Sequence, residues 1–187
     1  MSSFEYVSVI LSIVIALGIA RLLAGVAEVI RFRHTLASKG LYIWWCAFLL
    51  TVHVGWWFGV WYVVRPLQEF SLLAVFGYFS VPASLYVASR LLVPETSSQS
   101  PESLENRLES IRTPFLFLVA YPWVPGTIGN LASGDVPAAL LLASVGVLTL
   151  IGIPLKGRFQ VPLLAAMSAT YIAFLIVFRA TISNLPP

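Results

Sequence analysis

The sequence predicts an all-α protein: a polytopic transmembrane helical bundle of about six spans, with both termini outside. Three observations carry that expectation. Of 187 residues, 59% are hydrophobic and only 10% charged, and the mean hydropathy is +0.90. A soluble domain carries about 25% charged residues, so hydrocarbon rather than water must surround most of this chain. Apolar stretches recur at lengths suited to a slab of roughly 30 Å, which about 20 helical residues cross. The basic residues, finally, are sorted to alternate connections.

The spans are expected at about 4–30, 41–64, 70–93, 114–132, 137–153 and 160–182. Pro66, Pro94, Pro114, Pro137, Pro154 and Pro162 stand at or near their ends, where a missing N–H does least harm. The fourth and fifth are shorter and interrupted. Span one lacks the basic leader of a signal peptide and its apolar run is too long for one, so it reads as a retained span. The whole is expected to form a single transmembrane domain, 1–187.

Arg31, Arg33 and Lys39 follow span one, Arg90, Arg107 and Arg112 flank the gap after span three, and Lys156 and Arg158 separate spans five and six, eight of the eleven basic residues. By the positive-inside rule these three connections are cytoplasmic, and an even number of spans then leaves both termini outside. Tyr42, Trp44 and Trp45 at one end of span two, and Trp56, Trp57, Trp61 and Tyr62 at the other, match the aromatic belts of the two headgroup layers. Trp56 and Trp57 also suit packing between helices, since they point to different sides.

Residues 94–113 form the one sizeable polar segment and are expected to be a cytoplasmic connector. Its first part is Ser-rich; then Leu104, Leu108 and Ile111 share one face, predicting a short amphipathic surface helix. The basic residues are dispersed between apolar spans rather than gathered with aromatics, which excludes nucleic acid as a partner. Cys46 is the only cysteine, so no intrachain disulfide and no multi-thiol metal site is possible.

Span one organises the rest. Ser8, Ser12, Ala16, Ala20 and Ala24 place a small side chain at every fourth position, a seam along which another helix can approach. Arg21 and Glu28 lie seven residues apart and therefore on nearly the same side. An arginine at mid-span costs about 2.5 to 3.5 kcal/mol on insertion scales, so Arg21 is expected to face protein, water or the membrane surface. Glu28 can pair with Arg21 or Arg90 if spans one and three touch, and the Glu28–Arg90 ion pair is a structural candidate. A charged gate is the sharper alternative.

Four features fall near mid-span: His53, followed by the Gly55-x-x-x-Gly59 spacing; Pro82 between Ser80 and Ser84; Tyr121-Pro122-Trp123-Val124-Pro125-Gly126 in span four; and Ser168, Thr170 and Tyr171 in span six. His53 is either a titratable ligand or proton carrier, or a neutral ring bonded to its surroundings. Two prolines and a glycine within span four argue against a continuous helix, and interrupted spans mark the sites of many transporters. A simple kink is the plainer reading. Haem b ligation ordinarily uses two intramembrane histidines, and His34 lies in a loop, so no cofactor is expected. No hydrolase, metalloprotease, P-loop or dinucleotide signature occurs, and no carboxylate pair lies within the spans, so no enzymatic activity is expected.

The runs Phe4-Glu5-Tyr6-x-Ser8-Val9, His53-x-x-Trp56-Trp57, Pro82-x-x-x-Tyr86 and Leu91-Leu92-x-Pro94 resemble a group of small bacterial multi-pass membrane proteins of no settled activity. The resemblance covers the first half of the chain and implies a bacterial inner membrane. It supplies no substrate.

The leading functional expectation is passage of an ion or small solute by an oligomer, with His53, Arg21, Tyr121, Pro122, Pro125 and Gly126 along the route. The alternative is a non-catalytic scaffold or regulatory subunit of a membrane complex. Either requires the lipid bilayer and favours a homo-oligomer or a membrane partner subunit, with the small-residue seam and Gly55/Gly59 as candidate helix-packing surfaces.

Overall fold

A computed structural model describes residues 3–31, 39–64, 71–93, 104–155 and 159–183. Its elements are α1 (Ser3–Arg31), α2 (Lys39–Val64), α3 (Leu72–Leu92), α4 (Leu104–Ala120), α5 (Trp123–Ala132), α6 (Val136–Ile151) and α7 (Gln160–Ser183). No strand occurs among the described residues. The protein is all-α, as its composition and periodicity require.

Among the described residues, five stretches are long and apolar enough to cross a membrane: Glu5–Arg31, Lys39–Val60, Ala74–Leu92, Leu108–Ala132 and Gln160–Phe178. The fourth takes in both α4 and α5. The expected fifth span corresponds to α6, a shorter apolar helix of 16 residues, about 24 Å long at 1.5 Å per residue.

Packing divides the chain into two compact units, 1–111 and 112–187. In the first, α1 packs against both α2 and α3, which also touch each other. In the second, α6 packs against both α5 and α7. The central helix is thus the first of its unit in one case and lies between its neighbours in sequence in the other, so the two triplets do not repeat one packing order.

The face that α1 buries is Val7, Leu11, Ile15, Gly18, Leu22, Gly25 and Val29, a stripe with steps of three and four. This departs from the expected seam. Ser8 and Ser12 are half-buried, with their hydroxyls donating to the carbonyls of Glu5 (2.9 Å) and Ser8 (2.6 Å), while Ala16, Ala20 and Ala24 are exposed. A row of small side chains permits close approach without requiring it, and the deeper notches at Gly18 and Gly25 decide which face is used.

A second departure concerns the polar connector. Its amphipathic turn is not a separate surface helix: α4 begins at Leu104 and runs through Pro114 into span four. Pro114 carries no N–H, so at that position α4 lacks the usual bond to the carbonyl four residues back. The rest of the connector, 94–103, lies outside the described residues.

Local signals set the other boundaries. Ser71 caps α3, its Oγ accepting from the Ala74 N–H at 3.1 Å. Gly134, at φ 81°, ends α5 in a left-handed turn in which the Asp135 N–H reaches Asn130 O (2.9 Å) and the Gly134 N–H reaches Leu131 O (3.1 Å). Asp135 then caps α6 through Oδ1, which accepts from the Ala138 N–H at 3.1 Å.

Candidate functional site

His53 sits on α2 at 0% exposure, wedged against α1 at Gly18. Its Nδ1 lies 2.8 Å from the Leu49 carbonyl oxygen. A carbonyl only accepts, so Nδ1 carries the hydrogen and Nε2 is left with its lone pair. Nε2 is buried without a hydrogen-bond partner and faces the Gly18 backbone. A Cβ at position 18 would overlap Nε2 and lie 2.9 Å from Cδ2. The ring therefore occupies the space that only glycine leaves.

The same arrangement recurs seven residues along α1. At Gly25 an added Cβ would overlap the Tyr42 hydroxyl and stand 2.6 Å and 2.9 Å from the two Cγ atoms of Val93. Gly18 meets residue 53 and Gly25 meets residue 42, so α1 and α2 run antiparallel. Gly25 also brings the C-terminal end of α3 to the same point, where Arg21 of α1 donates from Nη2 to the Val93 carbonyl oxygen at 3.1 Å. Val93 is the C-cap of α3, and a guanidinium at a helix C-terminus meets both an orphan carbonyl and the negative end of the macrodipole.

These contacts place the expected site residues of the first unit. Arg21 is half-buried and holds α3. Glu28 is half-buried on α1, and Arg90 is exposed in the last turn of α3. Gly55 and Gly59 are half-buried, and the position a Cβ would take on Gly59 is open. At the opposite end of the unit, Val7, Leu11 and Val60 form a cluster with Trp56, Trp57, Val75, Tyr78 and Phe79 around it. Trp56 and Trp57 therefore pack between helices.

The second unit holds the Tyr121–Gly126 break. Pro122 and Pro125 deprive the Leu118 and Tyr121 carbonyls of their usual N–H partners. The Tyr121 carbonyl is recovered by the Val124 N–H at 3.1 Å in a tight turn, and the Gly126 N–H reaches Pro122 O at 3.2 Å. Pro122 keeps helical angles, φ −55° and ψ −29°. The interruption is a two-residue turn, not an unwound stretch.

Side chains fill its inner side. Trp123 is buried, with its ring edge-on to Tyr171 at 5.2 Å between centroids, and it rests on Gly146, where an added Cβ would be 3.1 Å from the Trp123 Cβ. Tyr171, Phe174 and Phe178 continue as a stacked series along α7. Gly126 approaches Leu142 in the same way, with an added Cβ at 3.1 Å from Cδ1. Tyr121 faces outward, at 42% exposure. Near the break, Thr127 Oγ1 is buried without a hydrogen bond.

Several of these residues carry no motif. Gly18 and Gly25 were legible only as a seven-residue spacing, and Thr127 as a hydroxyl one turn past Trp123. Among the described residues, no group of three or more His, Cys, Asp or Glu side chains is placed to hold a metal ion. What the two units define is an all-α protein with helices long and apolar enough to cross a membrane, as an integral membrane protein requires. No known family, curated protein or solved structure matches the chain.

Proposed function

We propose that this protein is a non-catalytic membrane subunit, a scaffold or regulatory component that assembles with a second copy of itself or with another membrane protein. The observation that carries the reading is the use of two ionisable groups within the apolar helices of the first unit. His53 is closed against Gly18 and Arg21 is tied to Val93, so both serve helix contacts rather than a wet route. The exposed row of Ala16, Ala20 and Ala24 on α1 supports a role in assembly, since it offers a close-packing face that α2 and α3 leave uncovered. The sorting of Lys and Arg supports both termini outside, and the resemblance of the first half supports a bacterial inner membrane. The test is purification in mild detergent followed by native mass measurement: a defined homo-oligomer or a stoichiometric second chain is expected, and a solitary monomer would end the proposal.

Passage of an ion or small solute is the second reading, and a specific observation favours it. Thr127 Oγ1 is a buried hydroxyl without a partner, one turn beyond a proline-broken span, and half-helices at mid-depth suit a permeation site. On this reading Tyr121, Pro122, Pro125 and Gly126 line the route in the second unit. Flux in vesicles holding the purified protein, compared with the Thr127→Val variant, separates the two. A protein-dependent flux that the variant abolishes would replace the subunit reading with this one.

A further inference from the structure

We propose that the contact between His53 and Gly18 is an acid-sensitive joint: α1 and α2 close on each other there only while Nε2 of His53 is unprotonated, and a proton on that atom parts them. Nδ1 is committed to the Leu49 carbonyl oxygen at 2.8 Å, so the ring's one remaining place for a proton is Nε2. That atom has no hydrogen-bond partner and abuts Gly18, where even a Cβ would overlap it. A second N–H would therefore lie against the α1 backbone with no acceptor, on a buried ring that now carries a charge. An unpaired buried donor is costly, and an unpaired buried charge more so. The ring escapes both by leaving the glycine notch, which separates the two helices.

The described residues of the three packed helices bring no counter-charge to this level. On α1 the ionisable residue nearest Gly18 is Arg21, three positions on and itself a cation. On α2 the one nearest His53 is Cys46, seven positions before it. Helix α3 packs against both and runs parallel to α1, since Val75 and Phe79 lie on the Val7 and Leu11 cluster while Val93 meets Gly25. Tyr86 precedes Val93 by seven residues, as Gly18 precedes Gly25, so it is the ionisable residue that α3 holds at the same height, with Arg90 one turn beyond. The carboxylates are Glu5 and Glu28, 13 and 10 residues from Gly18, about 20 Å and 15 Å along the axis. An imidazolium in the notch would thus have a guanidinium one turn away and its nearest carboxylates several turns off. The joint is the same whether the protein scaffolds or conducts.

The experiment is reversible unfolding of the full chain in mild detergent at about pH 8 and about pH 5, for the wild type and for His53→Asn. A proton taken up only when the contact opens follows the ordinary histidine value of about 6.5, so acid favours the opened and unfolded forms. The unfolding constant of the wild type is expected to rise about thirtyfold more than that of His53→Asn across this interval. Equal pH dependence in the two proteins overturns the joint. Should His53→Asn fail to fold, nuclear magnetic resonance of the wild type with nitrogen-labelled histidine decides: while the His53 ring touches Gly18 it must carry one hydrogen, on Nδ1. A doubly protonated ring still held against Gly18 rejects the proposal, and so does loss of the contact on acidification while the ring stays neutral.

Discussion

Arg21 and Val93, 72 residues apart, are joined by a hydrogen bond of 3.1 Å from the guanidinium Nη2 to the main-chain carbonyl. The bond ties the middle of the first helix to the last carbonyls of the third. Arg21 thereby resolves the problem its sequence position posed: a charge within an apolar span is matched to a helix C-terminus rather than to lipid.

Replacing that guanidinium should loosen α3. A charge-assisted hydrogen bond contributes about 1.5 to 3 kcal/mol, so Arg21→Gln is expected to lower unfolding stability in mild detergent by about 2 kcal/mol. Arg21→Lys keeps the charge and should recover part of the loss. Equal unfolding curves for wild type and Arg21→Gln would show that the bond carries no weight.

The Gly18 and His53 contact predicts a reciprocal effect. Gly18→Ala puts a methyl into the imidazole and should destabilise by about 1 to 3 kcal/mol, as overpacking does. His53→Ala removes the ring and leaves a void that costs about 2 to 4 kcal/mol. Together the changes should cost less than their sum, because the new methyl enters the vacated space. Additive losses, measured as a double-mutant cycle, would mean that the two residues do not share that volume.

Glycine spacing alone does not tell which pair packs within the unit. Gly55 and Gly59 have the familiar four-residue interval, yet an added Cβ on Gly59 meets nothing within 4 Å, whereas one on Gly25 overlaps Tyr42 and Val93. Gly59→Ala should leave stability within about 0.5 kcal/mol of wild type or raise it slightly, since alanine favours the helix. Gly25→Ala should lose at least about 1 kcal/mol. The opposite order, in thermal unfolding of the two variants, would sink the assignment of the α1 groove.

These cases show what was legible in the sequence. Span existence followed from apolar length, because a bilayer demands some 20 apolar residues wherever a helix crosses it. Some boundaries followed from prolines, whose effects are local: Pro137 stands at the start of α6, whereas α4 runs through Pro114. The buried face of α1 did not follow, because alanine, serine and glycine all mark possible approach and only the partner helix chooses among them. His53 and Arg21 were visible as costly groups, but their partners, Gly18 and a backbone carbonyl, have no side-chain signature. The interrupted fourth span was visible as well. Its closure was not, since the Trp123 contact with Gly146 and Tyr171 depends on α6 and α7.

The proline turn in span four offers the last test, and it bears on function. If Tyr121–Pro122 is a permeation site, its broken backbone matters; if it is a kink filled by Trp123, removal of the proline should be tolerated. Pro122 already has helical angles, so alanine fits there without a backbone change and restores an N–H toward the Leu118 carbonyl. That bond contributes about 0.5 to 1.5 kcal/mol, set against the loss of a buried ring of similar worth. Pro122→Ala is therefore expected to unfold within about 1 kcal/mol of wild type and to leave vesicle permeability unchanged. A variant that folds equally well but alters a measurable protein-dependent flux would mean that the turn, and not the helix contacts, is where the protein acts.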